Sequence, residues 1–195
     1  MTPERGSLRR IMRERRRALP PAERIAAAEM LAGRLLALPF APTHGYVAGY
    51  WAMDGEIALH AWQLRLPPGV TYCLPVLHGD GRLRFAPWKP GDPLVPNRYG
   101  IPEPDVDEEA LLEADSLAMA VAPLVAFDAA CRRLGMGGGW YDRSFAFRAT
   151  RPAPPALVGA AFELQRVEAL DDASWDIAPD AICTEQATYF RPTPT

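Results

Sequence analysis

A glycine-rich segment at residues 131–147, CRRLGMGGGWYDRSFAF, carries residue types that suit phosphate binding. Four of positions 135–139 are glycine, and Arg132, Arg133 and Arg143 flank them. Because glycine lacks a β-carbon, its backbone N–H groups can approach a ligand closely, and arginine adds charge-assisted hydrogen bonds. A tight turn with positive φ would need only one or two glycines. The four glycines beside arginines therefore favour a phosphate cradle over a simple turn.

Two common phosphate-binding motifs do not match this segment. The P-loop requires the pattern GxxxxGK[ST], and the segment has no lysine; the dinucleotide fingerprint GxGxxG would need glycine where Trp140 stands. No GxSxG pattern supports Ser144 as a nucleophile. The residues alone therefore indicate an α/β protein that binds a phosphate-bearing ligand.

Nearby acidic and aromatic residues each admit two interpretations. Asp142 opens the helix predicted after the glycines, and Glu56 precedes another predicted helix, so both could simply stabilise a helix N-terminus. Trp51 and Trp140 could stack on a planar ligand ring or belong to the core. A ligand-binding role for these residues needs further support.

Hydrophobic periodicity predicts alternating strands and helices. We expect strands at 45–53, 70–77, 82–88, 117–127, 156–162 and 181–186, helices at 7–17, 25–38, 58–66, 107–114 and 140–148, and a proline-rich loop at 89–105. This order is typical of a three-layer α/β/α sandwich with a largely parallel, Rossmann-like sheet. The glycines would then lie at the carboxyl end of a strand, where such sheets bind ligands.

Charge is unevenly distributed along the 195 residues. The formal net charge is −3, yet eight arginines fall between Arg5 and Arg24. This run fits a solvated helix face, a nucleic-acid contact or a site for a small polyanion. No apolar run resembles a signal peptide or a membrane span, and Cys73, Cys131 and Cys183 form no CxxC pair, so we expect reduced thiols in a cytoplasmic protein.

The segment FDAACRRLGMGGGWYDR resembles the FDxxGxRLGxGxGYYDR motif of the 5-formyltetrahydrofolate cyclo-ligase family. The similarity extends to the start RGSLRRIMRERRRALPPAER, to YWAMDGEI, to GIPEP and to the stretch from GAAFELQ to ICTE. It implies one domain over residues 1–195, with the helical segment 1–40 contributing to an ATP site. It also implies ATP- and Mg²⁺-dependent conversion of 5-formyltetrahydrofolate to 5,10-methenyltetrahydrofolate. The implied protein is a cytoplasmic monomer that binds neither nucleic acid nor membrane.

The resemblance also assigns roles to individual positions. Arg133 would be the catalytic residue that stabilises phosphate charge. The ATP site would comprise Arg5, Arg9, Arg133, Leu134, Gly135, Met136, Gly137, Gly138, Gly139, Trp140 and Tyr141. The folate site would comprise Trp51, Glu56, Met136, Gly137, Gly138, Gly139 and Trp140, and the Mg²⁺ carboxylates would be Asp142 and Asp176.

Four positions depart from the family pattern while the charged residues stay in place. Cys131 replaces a glycine, Met136 stands where tyrosine or arginine is common, Trp140 replaces a tyrosine, and Trp175 precedes Asp176 where histidine is frequent. Two other functions remain open from sequence. A diverged, non-catalytic relative would bind folate or nucleotide, and a nucleic-acid-binding protein would use the arginine-rich start with strongly salt-dependent affinity.

Overall fold

The computed structural model describes residues 4–151, 153–171 and 176–192 and is built around a seven-stranded sheet. Its α-helices are α1 (Arg5–Arg17), α2 (Pro21–Leu36), α3 (His60–Leu64) and α4 (Trp140–Ser144). Its strands are β1 (His44–Ala48), β2 (Gly69–Leu77), β3 (Leu83–Pro87), β4 (Leu94–Pro96), β5 (Pro102–Pro104), β6 (Met119–Pro123), β7 (Ala126–Phe127), β8 (Arg133–Leu134), β9 (Ala156–Ala160), β10 (Ala181–Cys183) and β11 (Thr188–Phe190).

The strand order of the main sheet is β11-β10-β9-β6-β1-β2-β3. The five inner strands are parallel, while β3 and β11 pair antiparallel at the two edges. After α1 and α2 the chain enters the sheet at β1, moves outward to β2 and β3, and then returns to place β6 on the other side of β1. Parallel sheets bind ligands beyond the carboxyl ends of the strands at such a reversal. The predicted α/β class and largely parallel sheet are confirmed.

Helices and turns cover both faces of the sheet, as the three-layer prediction requires. On one face, Leu31 and Leu35 of α2 and Trp62 of α3 pack against Val47 and Val121. On the other face, Phe145 beyond α4 packs against sheet residues that include Phe85 and Leu157. These side chains are almost fully buried, so both layers contribute to the hydrophobic stabilisation of the sheet.

The predicted strand at 117–127 is wrong in its extent. β6 ends at Pro123, which has no N–H group with which to continue the sheet ladder. The chain then forms β7, which pairs antiparallel with β8 in a separate two-stranded ribbon. The glycines at 135–139 therefore follow this ribbon rather than the central strand directly.

The predicted helix at 107–114 is also wrong. Only a 3₁₀ turn forms, at Glu108–Ala110, and Leu112 instead joins the edge of the sheet. Leu112 and Phe85 exchange two backbone hydrogen bonds, of 2.7 and 2.9 Å. This tertiary pairing outweighs the local preference for a helix, because it satisfies backbone groups of an otherwise open strand edge.

Other boundaries differ in ways that affect the site. The proline-rich loop contains the hairpin β4–β5, and the helix predicted at 140–148 divides into α4 and a 3₁₀ turn at Ala146–Ala149. The short edge strand β11, which no sequence pattern indicated, pairs with β10. Within the described residues, no helix is both long and apolar enough to cross a membrane.

Helix α1 is held against the loop that follows β1 by one carboxylate. Asp54 accepts hydrogen bonds from Arg13 (2.6 Å), from Arg16 (3.0 Å) and from Arg17. These three arginines share one face of α1 because they are three and four positions apart. Gly55 permits the close approach, since a β-carbon there would lie 3.2 Å from the Arg17 Cα.

Arg16 extends this contact to the far side of the strand reversal. Its side chain is 1% exposed, and its guanidinium also donates to the Asp54 carbonyl (2.9 Å) and to the Leu124 carbonyl beyond β6 (3.3 Å). Burial opposes ionisation of Asp54, but the arginine hydrogen bonds outweigh it and lower the pKa of that carboxyl. The cluster of Arg13, Arg16, Arg17 and Asp54, here called the Asp54 cluster, therefore joins α1 to the loops after β1 and β6.

Cys131 occupies a turn conformation that normally favours glycine. Its φ is +63°, in the left-handed region, and Asp128 stabilises the turn by accepting hydrogen bonds from the Ala130 and Arg132 backbone. The Cys131 thiol donates to the Tyr189 carbonyl at 3.3 Å. The departure from the family glycine thus leaves the turn in a glycine-like conformation. Burial raises the pKa of Cys131 to about 11, so its thiol stays protonated at neutral pH.

We expect Asp54→Asn to destabilise the protein by about 2–3 kcal/mol at neutral pH, because it removes the closest anionic partner of the buried Arg16 guanidinium. Urea unfolding measures this difference. Asp115→Asn, which removes an exposed ion pair with Arg151, is the matched control and should cost under about 0.5 kcal/mol.

The pH dependence provides a second check on Asp54. Because folding lowers the pKa of Asp54, its contribution is complete above the ordinary aspartate pKa and is lost as the pH falls below it. The stability difference between wild type and Asp54→Asn should therefore shrink on acidification. A difference that is independent of pH would contradict this account.

We expect Cys131→Gly to change the free energy of unfolding by less than about 1 kcal/mol, because relief of the left-handed conformation offsets the lost burial of the thiol. Cys131→Val should cost about 2 kcal/mol or more, since a β-branched residue is strained at positive φ. Denaturant unfolding of both variants tests this expectation. Equal stability of the two variants would show that the turn imposes no such strain.

Candidate functional site

A cavity of about 940 Å³ opens at the carboxyl ends of β1, β2 and β6. Tyr50 and Trp51 after β1, Leu77 at the end of β2, and Pro123 and Leu124 at the end of β6 all line it. The cavity therefore lies at the reversal of strand order, where the fold predicts a ligand site.

The structure brings every site residue expected from the sequence to this one cavity. Its walls include Arg5, Arg9, Trp51, Glu56, Arg133, Leu134, Gly135, Met136, Gly137, Gly138, Gly139, Trp140, Tyr141, Asp142 and Asp176. The side chain of Met136 is 53% exposed, although it is apolar. Arg5 and Arg9 thus face a concave site, which fits the third interpretation of the basic run, a site for a small polyanion.

The glycine loop is in direct contact with helix α1. Arg9 donates from Nε to the Gly135 carbonyl at 2.8 Å, and its guanidinium lies 3.6 Å from the point where a Gly137 β-carbon would stand. Gly137 has φ +98°, and Gly139 has φ +66° immediately before α4. The positive φ values favour glycine at these two positions, so the turn interpretation accounts for two of the four glycines. The phosphate-cradle interpretation of the loop stays a prediction.

Arg133 and Asp142 form a close ion pair on the cavity wall. Arg133 Nη2 lies 2.5 Å from Asp142 Oδ1, and the Arg133 side chain is only 6% exposed. Asp142 Oδ1 also accepts from the Ile177 amide at 3.1 Å, and Arg133 Nε donates to the Ile177 carbonyl at 3.4 Å. Asp142 lies in the first turn of α4, yet no side-chain hydrogen bond caps that helix. Its carboxylate instead accepts from Arg133 and from the Ile177 amide.

A second ion pair lies beside the first. Arg5 Nη2 lies 3.0 Å from Asp176 Oδ2, and it also donates to the Asp171 carbonyl at 3.0 Å. The neighbouring Trp175 lies outside the described residues, so its replacement of histidine has no structural account. This part of the cavity wall therefore carries two carboxylates, Asp142 and Asp176, each paired with an arginine.

These two carboxylates are compatible with a hard divalent cation that ATP phosphates also bind. The side chains of Asp142 and Asp176 are each about one-fifth exposed to solvent. Asp142 Oδ2 accepts no hydrogen bond from the residues that the structure describes. Mg²⁺ commonly takes one or two carboxylates and completes its shell with phosphates and water. Within the same described ranges, no group of three or more metal-binding side chains forms an all-protein site.

Glu56 is a buried acid that faces the same cavity. Its Oε2 accepts from the Met53 amide at 3.0 Å, and its Oε1 lies 3.6 Å from Arg16 Nη2. Burial raises the pKa of Glu56, while Met53 and Arg16 act in the opposite direction. Since α3 begins only at His60, the interpretation of Glu56 as a helix-stabilising acid is wrong.

Trp51 and Trp140 both line the cavity, and Trp140 also packs against the hydrophobic core beside Phe145. The Trp51 side chain is 36% exposed and packs edge-on against Trp88, with ring centroids 5.8 Å apart. The Arg143 guanidinium lies 5.2 Å from the Trp140 ring centroid and donates to the Gly138 and Gly81 carbonyls. Arg143 therefore fixes the end of the glycine loop to the turn between β2 and β3.

The β4–β5 hairpin forms a wall that the sequence indicated only as a long loop. Asn97, Tyr99, Ile101 and Glu103 line the cavity. Glu103 anchors the hairpin by accepting from the Leu77 amide (2.7 Å) and from the Asn97 side chain (2.8 Å).

Arg13, Arg16 and Asp54 are further wall residues that the motif analysis missed. Their spacing on one helix face and the Asp-Gly turn were the available signals, but their pairing is visible only in the folded chain.

Comparison with known proteins identifies the family. The sequence model of the 5-formyltetrahydrofolate cyclo-ligase family matches residues 1–185. The chain is 37% identical to 5-formyltetrahydrofolate cyclo-ligase of Escherichia coli K12 over 182 residues, covering 92% of this chain and 99% of that protein. It is also 37% identical to the Haemophilus influenzae protein of the same name, covering 67% of this chain and 71% of the relative.

Solved structures show the same fold. The NMR structure of Aquifex aeolicus 5,10-methenyltetrahydrofolate synthetase superposes with a TM-score of 0.81 at 26% identity, covering 98% of this chain and 94% of that one. A Mycoplasma pneumoniae 5,10-methenyltetrahydrofolate synthetase superposes with a TM-score of 0.69 at 22% identity, covering 93% and 99%, and supports the fold alone. The cavity at the strand reversal therefore belongs to an enzyme chain, and the chain is a member of the 5-formyltetrahydrofolate cyclo-ligase family.

Proposed function

We propose that this enzyme converts 5-formyltetrahydrofolate to 5,10-methenyltetrahydrofolate with ATP and Mg²⁺, releasing ADP and phosphate. The observation that carries the proposal is the convergence of the glycine loop, Arg133, Asp142 and Glu56 on one cavity. The volume of that cavity, about 940 Å³, lies near the upper end of the range of about 300–1,000 Å³ that ligand sites commonly occupy.

The reaction needs an activated oxygen. The formyl oxygen attacks the γ-phosphorus of ATP, the bond to the β-phosphate oxygen breaks, and ADP leaves. The folate N10 then attacks the activated formyl carbon and loses its proton, and the C–O bond breaks to release phosphate. The enzyme must hold the reacting atoms together and exclude water from the phosphorylated intermediate.

Arg133 is suited to stabilise the transferring phosphoryl group. Its guanidinium is fixed on the wall by Asp142 and by the Ile177 carbonyl, so little reorganisation is needed when phosphate charge arrives. Arg9 holds the glycine loop from the α1 side and presents a second guanidinium beside Gly137. We infer that the triphosphate lies between these two arginines, along the glycine loop.

Asp142 and Asp176 are the residues that would hold Mg²⁺. When bound, the cation would neutralise phosphate charge and fix the orientation of the triphosphate. Asp142 offers Oδ2 for this role while Oδ1 keeps Arg133 in place.

Glu56 and Trp51 are suited to the pterin part of the folate. A buried carboxylate beside an arginine can accept hydrogen bonds from the ring N–H groups of a pterin, and Trp51 offers an exposed aromatic surface for stacking. Because both residues lie after β1 and the glycine loop follows β8, the two substrates would approach from neighbouring walls.

Mixing purified full-length protein with Mg·ATP and 5-formyltetrahydrofolate tests the proposed function. We expect the near-ultraviolet absorbance of the methenyl bridge to rise only with ATP and to match ADP release. Folate or ATP binding by calorimetry without any such rise would instead support a non-catalytic relative.

We expect Arg133→Gln to lower kcat by about 10²-fold or more, because it removes a fixed positive charge from the transferring phosphoryl group. The KM for folate should change only a few-fold. Steady-state kinetics measures both, with Arg151→Gln as the control because Arg151 lies outside the cavity. A kcat that is unchanged would remove Arg133 from the catalytic step.

We expect Asp142→Asn to raise the Mg²⁺ concentration needed for half-maximal activity by about tenfold, since one anionic ligand is lost. Titrating Mg²⁺ at fixed ATP measures the shift, and Asp107→Asn on the exposed surface is the control. An unaltered Mg²⁺ response would leave Asp142 solely as the partner of Arg133.

A further inference from the structure

The hairpin β4–β5 presents an exposed arginine at the edge of the cavity. Arg98 lies between Asn97 and Tyr99, which both line the cavity, and its Cζ is 5.2 Å from the ring centroids of both Tyr99 and Trp140. Trp140 in turn closes the glycine loop. Arg98 therefore connects the hairpin to the loop at which we place the reaction.

Arg98 differs from the other arginines around the cavity in its lack of polar partners. Within the described ranges, its guanidinium makes no ion pair and no hydrogen bond, only the two ring contacts. The neighbouring arginines all have polar partners. Four of them form ion pairs: Arg13 with Asp54, Arg16 with Asp54 and Glu56, Arg133 with Asp142, and Arg5 with Asp176. Arg9 and Arg143 donate to backbone carbonyls. Arg98 thus retains its full set of N–H donors for an anion.

The covalent structure of the substrate places its anionic end near this residue. N10 is bonded directly to the benzoyl ring of folate, so that ring must lie beside the reacting carbon and hence beside the glycine loop. Tyr99, Trp140 and Tyr141 line the cavity near this loop, and aromatic rings contact one another favourably. The glutamate that follows the benzoyl ring carries two carboxylates and would leave the cavity past these side chains.

We propose that Arg98 determines substrate specificity by binding a carboxylate of the glutamate tail, while Tyr99 and Trp140 line the path of the benzoyl ring. This inference rests on the proposed function. A guanidinium that lies over aromatic rings keeps its planar donor fork directed outward, which suits bidentate contact with a carboxylate. The tryptophan at position 140, where the family commonly has tyrosine, enlarges the surface that supports Arg98.

The test compares two substrates that differ only in the tail, 5-formyltetrahydrofolate and 5-formyltetrahydropteroate, which lacks the glutamate. We expect Arg98→Gln to raise the KM for the folate by about tenfold, as for loss of one charge-assisted contact, and to leave the KM for the pteroate unchanged. The KM of Arg98→Lys for the folate should fall between those of the wild type and Arg98→Gln, because lysine keeps the positive charge but lacks the planar donor fork of arginine. Arg65→Gln, outside the cavity, controls for the loss of a surface charge.

The outcomes separate this proposal from its alternatives. If Arg98→Gln lowers kcat and raises KM equally for both substrates, Arg98 only positions Trp140 and the proposal is overturned. The proposal is also overturned if both Arg98 variants have the same KM values as the wild type. If the wild-type protein does not turn over the folate at all, the proposed function fails. Calorimetry can then still test the tail contact, by measuring the affinity of both compounds for the wild type and for Arg98→Gln. If the contact exists, the affinity for the folate should be about tenfold lower in the variant, and the affinity for the pteroate should be unchanged.

Discussion

The site depends on the buried guanidinium of Arg16. A charge so completely removed from water requires anionic and carbonyl partners, and Arg16 finds them on both sides of the strand reversal, at Asp54 beyond β1 and at Leu124 beyond β6. The loops that carry the two halves of the site cannot separate without breaking one of these contacts to the buried guanidinium. Helix α1, which would otherwise be a peripheral basic helix, is thereby fixed as a wall of the cavity.

From that fixed wall the remaining geometry follows. Residues of α1 at positions 5, 9 and 13 project along one side of the helix because they are four residues apart, and they meet the acidic residues and the glycine loop. The glycine loop is held at both ends, by Arg9 near its start and by Arg143 near its finish. Backbone that is intrinsically flexible is thus restrained by side chains of other elements, which is the preorganisation that the proposed phosphoryl transfer would require.

The sequence predicted which residues meet at the cavity better than it predicted the boundaries of the helices and strands. The glycines, Arg133 and Asp142 belong to one contiguous motif and Glu56 to a second short segment, so the resemblance of these two segments to the family was sufficient to find them. The Asp54 cluster and the hairpin wall were missed because each depends on partners distant in the chain. Likewise, the helix expected at 107–114 gave way to pairing of Leu112 with Phe85, and β11 formed because β10 offered an open edge. Local propensity cannot anticipate such tertiary contacts.

The balance of charge on the cavity wall has one more consequence. The described residues that line the cavity include five arginines and five carboxylates, so the wall is formally neutral despite its density of charged groups. A neutral wall exerts no long-range attraction on polyanions in general, in contrast to the uncompensated basic surfaces that collect nucleic acid. The cavity then distinguishes one anionic ligand from another only on contact, because a bound ligand must replace one partner in an existing ion pair. A molecule whose anionic groups do not match those positions would break these ion pairs without forming new ones.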